Sequence, residues 1–306
     1  MVGVGHVGSL HAKVYATLSQ AKLVAVCDIN PQRAQAVARK YGCQAATEVR
    51  HLLGRVDAAS VAVPTNQHYA VAKALLSAGI PVLIEKPITT TLSQADALLA
   101  LARRHRLTLQ VGHIERFNAA IQKAQAYLTH PRFIEAHRLS PYPHRSTDVS
   151  VVLDVMIHDL DLVLALVRTP PSRIDALGVP VLSGSEDIAN VRLVFPTGCV
   201  ANLTASRVSD ETMRRIRIFQ EDCYLSIDYQ HQTVELARNV GGAIRRQAFP
   251  VRRRPPLNDE LAAFLSAVRM NRRPVVTGEE AREALALALK IERVMRRRPR
   301  SRGTSS

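Results

Sequence analysis

The chain has few aromatic side chains and no long apolar run. Its 306 residues include no tryptophan, six phenylalanines and seven tyrosines. Proteins that bind single-stranded nucleic acids stack bases on aromatic rings, so this composition argues against that class. No apolar run approaches the roughly 20 residues that a membrane-spanning helix needs, and no secretory signal is visible. We therefore expect a cytoplasmic protein without a membrane span.

Cysteine is also scarce. The four cysteines, Cys27, Cys43, Cys199 and Cys223, do not have the paired spacing of a zinc site. Three of them lie in or beside predicted strands, which indicates small buried side chains in a reducing compartment. We expect no bound metal.

Acidic residues are outnumbered by basic ones, 26 against 41, and the formal net charge is +15. Such a charge is typical of proteins that bind nucleic acids or anionic membranes. Much of it comes from arginines in two short stretches, residues 245–254 and 293–302. We interpret residues 297–306 as a frayed basic tail and expect no nucleic-acid partner. Cationic walls also suit a small substrate that carries phosphate.

The first strong motif is a glycine-rich string before a helical pattern, Gly3-Val4-Gly5-His6-Val7-Gly8. In a dinucleotide-binding turn, such glycines allow a tight bend and a close approach of backbone to the pyrophosphate. The next predicted strand ends at Asp28, 20 positions after Gly8, where such a fold places a carboxylate on the ribose. Asp28 favours NAD, and NADP stays open if Arg33 turns toward a 2'-phosphate. Asp28 also suits capping of the helix that begins near Pro31.

Strand and helix patterns alternate up to residue 112, which predicts an α/β domain with parallel strands and ligands at their carboxyl ends. The predicted strands are residues 22–27, 58–63, 82–84 and 108–111, and the predicted helices are 32–40, 68–77 and 93–105. Only Met1 and Val2 precede the first glycine, so we expect a truncated central strand and a natural start upstream. The predicted cofactor contacts are Gly3, Gly5, His6, Val7, Gly8, Asp28, Arg33, Pro64, Thr65, Asn66, His68, Glu85, Lys86 and Pro87.

Short strand patterns with tight turns follow beyond residue 131. They span residues 133–139, 174–181, 189–195, 200–207, 215–220, 224–228 and 233–237, and two helices at 259–270 and 279–296 close the chain. This order predicts an α+β domain with an open, mainly antiparallel sheet. We therefore predict a Rossmann domain at residues 1–116, a substrate domain at 117–296 and the tail at 297–306.

One long helix, predicted at residues 149–167, carries a second chemical signal. Asp154 and His158 are four positions apart on it and are expected to face the same way. An imidazole held by a carboxylate can take a proton from an alcohol near neutral pH. His158 can equally be an ordinary helix residue that pairs locally with Asp154.

The motifs, in this order, resemble the Gfo/Idh/MocA (glucose-fructose oxidoreductase/inositol dehydrogenase) family over nearly the whole chain. They are the glycine string, Val63-Pro64-Thr65-Asn66-Gln67-His68, Glu85-Lys86-Pro87, Val111-Gly112-His113-Ile114-Glu115-Arg116-Phe117-Asn118 and Asp154-x-x-x-His158. The resemblance implies a Rossmann domain followed by an α+β domain. The open sheet of that second domain is implied to bind the substrate and to join copies into a homo-oligomer.

The resemblance also implies a catalytic set of Lys86, Asp154 and His158. Lys86 would hydrogen-bond the reacting oxygen beside the nicotinamide, and His158 would accept the hydroxyl proton, or the two would exchange roles. Both groups must then reach one carbinol. Arg116 is a candidate contact to a diphosphate, with a surface or interdomain salt bridge as its alternative. The implied substrate contacts are Lys86, Glu115, Arg116, Asn118, Asp154 and His158.

Residues 113–118 and 152–161 are most similar to family members that oxidise nucleotide-linked amino sugars. This implies NAD-dependent oxidation of a secondary hydroxyl, with the 3-hydroxyl of UDP-N-acetylglucosamine as the expected site, in the biosynthesis of lipid A containing a diamino sugar. One alternative is a dehydrogenase of a free sugar or of a cyclitol such as inositol. Another is a non-catalytic dinucleotide-binding regulator, which the intact set Lys86, Asp154 and His158 disfavours because binding alone does not require it.

Overall fold

The computed structural model describes residues 1–142, 149–221 and 223–297, and the chain divides into two compact units. The first combines Met1–Asn118 with Arg254–Glu283, and the second combines Ala119–Arg253 with the residues from Ala284 onward. The sequence predicts an uninterrupted second domain, whereas residues 254–283 belong to the first unit in the structure. Residues 298–306 of the predicted tail lie outside the described residues. None of the described helices is long and apolar enough to span a membrane.

The first unit contains a parallel sheet. Its strands are β1 (Ala25–Cys27), β2 (Gln44–Ala46), β3 (Ala59–Val61), β4 (Val82–Glu85) and β5 (Leu109–Gly112). β1 pairs with β2, while β3, β4 and β5 pair in that order. Val2 forms parallel bridges to both Cys27 and Val61, so residues 1–2 stand between β1 and β3. This is the central position that the first strand takes in a doubly wound dinucleotide fold.

Helices alternate with these strands: α1 (His6–Thr17), α2 (Pro31–Tyr41), α3 (Thr65–Ser77) and α4 (Leu92–His105). The start of α2 is fixed by Asn30, whose side chain accepts a hydrogen bond from the backbone N–H of Arg33 at 3.0 Å. Its end is fixed by Gly42, which adopts the left-handed conformation with a φ of 65°. α1 follows the glycine string, where a helical pattern was noted, and α2, α3 and α4 correspond to the three predicted helices. β2 was not predicted.

The second unit begins with α5 (Ala119–Gln125) and is dominated by an eight-stranded sheet among the described residues. The strands are β6 (Phe133–Leu139), β7 (Arg173–Val179), β8 (Ile188–Val194), β9 (Val200–Ser206), β10 (Met213–Phe219), β11 (Cys223–Asp228), β12 (Thr233–Val240) and β13 (Ala243–Phe249). Their spatial order is β13-β12-β11-β10-β6-β9-β8-β7. β6 and β9 run parallel, and the other neighbours are antiparallel. The expected open, mainly antiparallel sheet is confirmed, with β13 as an additional edge strand.

The long helix predicted at residues 149–167 has an irregular start. Residues Val152–Met156 form a π-helical turn, and the regular helix α6 spans Ile157–Val167. Met156, Leu160 and Val163 are fully buried in the main apolar core of the second unit. The irregular turn therefore lies against the sheet, at the end of the helix that carries the predicted catalytic residues.

Two helices end the described chain, α7 (Pro256–Arg269) and α8 (Gly278–Arg297). Leu261 and Phe264 of α7 join a buried cluster with Val14, Tyr15 and Leu83, which is why this segment belongs to the first unit. A capping box fixes the start of α8. The backbone N–H of Glu280 donates to Oγ1 of Thr277 at 3.2 Å, and Oε2 of Glu280 accepts from the backbone N–H of Thr277 at 2.9 Å.

Candidate active site

The glycine string forms a tight turn that leads into α1. Gly3 has a φ of +77°, and a Cβ there would lie 2.7 Å from the carbonyl oxygen of Ala62. A Cβ on Gly8 would overlap the carbonyl oxygen of Gly3. Gly5 differs, because no heavy atom of the described residues lies within 4 Å of its Cβ position. Two glycines are therefore required for packing, and the third leaves open space.

That open space lies at the N-terminus of a helix. Gly5 is the N-cap residue of α1, and within the described chain no side chain caps this end or adds an acidic group to the first turn. The unpaired N–H groups and the positive end of the helix dipole favour an anion here. The residues present therefore fit the pyrophosphate of a dinucleotide.

Asp28 is fixed in position at the carboxyl end of β1. Its Oδ2 accepts from the backbone N–H of Val4 and its Oδ1 from that of Asn30, both at 2.9 Å. The residue is only 6% exposed. Asn30, not Asp28, caps α2, so the capping alternative for Asp28 is wrong. The carboxylate instead links the glycine turn to the end of the next strand, where a ribose hydroxyl would need an acceptor.

Arg33 lies beside this carboxylate. Its Nη1 is 3.4 Å from Oδ2 of Asp28, and its side chain is 51% exposed. A guanidinium in this position can turn toward solvent or toward a bound nucleotide. The geometry is therefore compatible with the cofactor contact predicted for Arg33, and it fits either NAD or NADP.

Two further strand ends are joined by a buried histidine. His68 contacts the carbonyl oxygen of Pro87 through Nδ1 and that of Val63 through Nε2, each at 2.9 Å. Burial lowers its pKa, although both carbonyl oxygens favour the charged form. His68 therefore braces the loops that carry Thr65 and Lys86, and its two ring nitrogens are already engaged by the protein.

Lys86 and its neighbours follow directly from β4. Lys86 is half-buried, and its peptide bond to Pro87 is cis. Pro64 and Asn66, by contrast, are exposed. The predicted cofactor residues of the first unit thus gather at the carboxyl ends of its strands, as expected for a parallel sheet.

Residues 113–118, which include the predicted substrate contacts Glu115, Arg116 and Asn118, are mostly buried after β5. The Nδ2 of Asn118 donates to Oε2 of Glu115 at 3.4 Å. Nη2 of Arg116 lies 3.1 Å from Oε1 of Glu280, and the Arg116 side chain is only 10% exposed. Burial opposes the charge of Glu280, but hydrogen bonds from Thr277 and Arg116 lower its pKa. Arg116 thus makes a salt bridge, the alternative that the sequence left open, although this bridge lies within one unit.

Asp154 and His158 lie in the second unit and are both half-buried. Asp154 belongs to the π-helical turn, where the backbone N–H of Ile157 bonds to the carbonyl oxygen of Val152. His158 belongs to the first turn of α6. The prediction that these two residues share a face assumed a regular helix, whereas Asp154 lies in a π-helical turn and His158 in α6. Single π-helical turns occur frequently at functional sites.

The residue after His158 anchors this helix. Nε of Arg138 lies 3.0 Å from Oδ2 of Asp159, and Nη2 lies 3.1 Å from Oδ1. The hydroxyl of Tyr229 also donates to Oδ1. This network was not predicted, because Arg138 and Tyr229 are far from Asp159 in the chain. Its effect is to fix the backbone next to His158.

Glu85, predicted as a cofactor contact, also belongs to a group of three residues beside Lys86 that was not predicted. Among the described residues, ligand atoms of His11, Glu85 and Glu260 all lie within 4.8 Å of one another. Nε2 of His11 is 3.0 Å from Oε1 of Glu85. These residues come from α1, β4 and α7, so no local sequence pattern could have grouped them.

Residues 1–113 match the oxidoreductase family of Gfo/Idh/MocA proteins with an NAD-binding Rossmann fold, and residues 119–226 match the Gfo/Idh/MocA C-terminal domain. The chain is also 41% identical to the UDP-N-acetylglucosamine 3-dehydrogenase of Acidithiobacillus ferrooxidans, over 95% of each chain. The chain belongs to the Gfo/Idh/MocA oxidoreductase family. The expected fold class and family are thereby confirmed.

One more distant relative and two solved structures extend this comparison. An inositol 2-dehydrogenase of Rhizobium meliloti is 24% identical over 94% of this chain and 93% of its own. A solved structure of the Acidithiobacillus ferrooxidans enzyme superposes with a TM-score of 0.91 at 40% identity, covering 96% of this chain and 95% of that one. A levoglucosan dehydrogenase in complex with NADH has the same fold, with a TM-score of 0.86 at 15% identity, covering 96% of this chain and 95% of that one. The protein is an oxidoreductase of the sugar-dehydrogenase type with a dinucleotide-binding domain.

Proposed function

We propose that this protein oxidises the 3-hydroxyl of UDP-N-acetylglucosamine to the 3-keto sugar with NAD. The main support for this substrate is the 41% identity to a UDP-N-acetylglucosamine 3-dehydrogenase over 95% of both chains. The open space at Gly5 and the uncapped start of α1 support a bound dinucleotide. A 3-keto sugar is a substrate for transamination, which is consistent with a place in the biosynthesis of lipid A containing a diamino sugar.

Asp28 supports NAD as the preferred dinucleotide. Its carboxylate is held by two backbone N–H groups, so it cannot easily swing away from the ribose. A free 2'-hydroxyl can donate a hydrogen bond to it, whereas a 2'-phosphate would meet a like charge. Arg33 offsets that repulsion only in part, because its exposed guanidinium already lies 3.4 Å from Asp28.

The proposed reaction removes a hydride from the carbon and a proton from its hydroxyl. Bound nicotinamide supplies the hydride acceptor. The ammonium of Lys86 hydrogen-bonds the reacting oxygen and stabilises the developing negative charge. His158 takes the hydroxyl proton and Asp154 orients the imidazole. Lys86 and His158 exchange roles in the alternative version of this proposal.

Substrate identity is tested by following the absorbance of NADH with several sugars. We expect turnover with UDP-N-acetylglucosamine and much less with myo-inositol, glucose or free N-acetylglucosamine. The second candidate, a free-sugar or cyclitol dehydrogenase, is favoured by the relationship to inositol 2-dehydrogenases and predicts the opposite order. Binding of NADH without turnover of any sugar in the panel would favour a regulator instead.

Catalytic roles are tested by Lys86→Met and His158→Ala. Each variant is expected to lose about 100- to 10,000-fold in kcat, the usual contribution of a positioned acid or base. His158→Ala is expected to bind NADH with nearly unchanged affinity. Nearly unchanged turnover in either variant would contradict the role given to that residue.

The predicted homo-oligomer also belongs to this proposal. One face of the sheet in the second unit carries ion pairs, such as Arg217 with Glu135 and Arg246 with Glu235. Association of copies through this face stays a prediction, and light scattering of the purified protein tests it.

A further inference from the structure

The cluster formed by His11, Glu85 and Glu260 is enclosed by the first unit. His11 and Glu260 are fully buried, and the side chain of Glu85 is 18% exposed. Among the described residues, no hydrogen-bond partner was found for either carboxylate oxygen of Glu260. A carboxyl group in such a place is costly unless it is neutral or shares a proton.

Glycine at position 112 makes room for the central carboxylate. A Cβ on Gly112 would lie 2.7 Å from Oε1 of Glu85 and 3.0 Å from Oε2. β4 and β5 are paired at this point, with Glu85 opposite Gly112. The Glu85 side chain therefore lies over the neighbouring strand.

The charges of the cluster are unequal. Burial and then the nearby charge of Glu85 raise the pKa of Glu260 well above its ordinary value. Burial also opposes ionisation of Glu85, but the hydrogen bond and charge of His11, followed by the charges of Lys86 and His68, lower its pKa. Of the two, Glu85 is therefore the carboxyl group that ionises more readily, and Glu260 is the one that keeps its proton to higher pH.

A proton explains this arrangement better than a metal ion. Nε2 of His11 lies 3.0 Å from Oε1 of Glu85, which is a hydrogen-bond distance. A proton on that nitrogen, between His11 and Glu85, would leave no lone pair there for a cation. Two close carboxyl groups in a buried site share one proton, because both cannot ionise together.

We propose that Glu260 is a positioning residue for Lys86: as a neutral acid it shares its proton with the Glu85 carboxylate and so holds the strand end that carries Lys86. This inference rests on the role that the proposed function gives to Lys86. Glu260 acts through Glu85, which immediately precedes Lys86, while His11 contacts the same carboxylate from α1. The backbone of Glu260 is held as well, since its carbonyl oxygen accepts from Nε2 of Gln110 at 3.3 Å.

Two substitutions separate the effect of the Glu260 proton from the effect of side-chain packing. Glu260→Gln keeps the length of the side chain and a donor, so we expect kcat within about threefold of wild type. Glu260→Met keeps the length and removes the donor. We expect it to lower kcat about 10- to 100-fold, since misplacing a reacting group by ~1 Å can cost ~100-fold. NADH affinity and the KM for NAD should stay within about threefold in both.

Asp259→Asn is the matched control. Asp259 is the adjacent acid of α7, and its carboxylate faces Arg254 at 3.3 Å instead of the cluster. Its substitution should leave kcat unchanged. A purely structural role for Glu260 would lower the melting temperature and NADH affinity together in Glu260→Met, and Glu260→Gln would not rescue kcat.

Infrared spectroscopy tests whether the carboxyl group of Glu260 is protonated, and this measurement needs no substrate. We expect a band of a buried protonated carboxylic acid in the wild type and in Asp259→Asn, and its loss in Glu260→Gln. The absence of that band from the wild type, or wild-type kcat in Glu260→Met, would overturn the proposal. So would a bound metal ion at one per chain that disappears in Glu260→Gln. If no sugar is oxidised, the proposed function fails, while the infrared result still decides whether Glu260 holds a proton.

Discussion

Replacing Gly5 by alanine tests the cofactor site directly. Gly5 has a φ of −65°, which alanine adopts, and no described heavy atom lies within 4 Å of its Cβ position. Alanine lowers the entropy of the unfolded chain, worth about 0.4–1 kcal/mol, and is a poorer N-cap by a similar amount. These effects offset each other, so the free energy of unfolding should change by less than about 1 kcal/mol.

Cofactor binding should respond much more strongly to the Gly5→Ala substitution. The new methyl group would occupy the approach of the pyrophosphate to the start of α1 and displace it from a backbone N–H. A hydrogen bond to a charged group is worth about 1.5–3 kcal/mol, so the Kd for NADH should rise roughly 10- to 150-fold. Fluorescence titration with NADH and thermal melting without ligand measure the two effects separately.

Two other glycines serve as controls. Gly184 also has open space at its Cβ position, so alanine there should raise the free energy of unfolding by at most about 1 kcal/mol and leave NADH affinity unchanged. A Cβ on Gly8 would overlap the carbonyl oxygen of Gly3, so Gly8→Ala should lower stability in the absence of ligand. Unchanged NADH affinity in Gly5→Ala, or a loss of stability instead of affinity, would refute the reasoning.

Three further predictions concern single carboxyl groups. Asp28→Ala should weaken NAD binding and narrow the preference for NAD over NADP, measured as the ratio of the two kcat/KM values; an unchanged ratio would mean that Asp28 does not meet the ribose. Asp187 lies 2.9 Å from Nε of Arg207, and the two side chains are 0% and 1% exposed, so Asp187→Asn should cost about 3–5 kcal/mol in urea unfolding. A urea concentration at the midpoint of unfolding equal to that of the wild type would contradict this expected loss of stability. In the folded protein the pKa of Glu260 is raised. The stability that protonated Glu260 contributes to the fold is therefore complete below its ordinary pKa of 4.5, and it is lost as the pH rises toward the raised pKa. The stability of Glu260→Gln relative to wild type should therefore increase with pH above 4.5, and a constant difference would count against a protonated Glu260.

The fold was predictable where the pattern of neighbouring residues is enough to identify each strand and helix. Alternating strands and helices, together with the glycine string, identify the parallel sheet, since each pattern depends on neighbouring residues. β13 was missed because its residues are nearly all exposed and include Arg245 and Arg246, so no apolar alternation marks it. β2 was missed because it has only three residues, Gln44–Ala46, none of them fully buried.

The parts that could not be predicted depend on contacts between distant segments. Leu261 and Phe264 resemble any apolar helix face, and only the fold shows that they pack in the first unit. The salt bridge of Arg116 and the cluster around Glu85 likewise join residues more than 70 positions apart. The π-helical turn at Asp154 arises inside an apolar run whose spacing fits a regular helix equally well.

The most direct test of the proposed reaction follows a single hydrogen atom. UDP-N-acetylglucosamine deuterated at carbon 3 is mixed with the protein and NAD, and the NADH formed is analysed by mass spectrometry. The account predicts one deuterium in each NADH, and none when the label is at carbon 4 instead. Unlabelled NADH from the 3-deuterated sugar, or deuterium transfer from carbon 4, would contradict it.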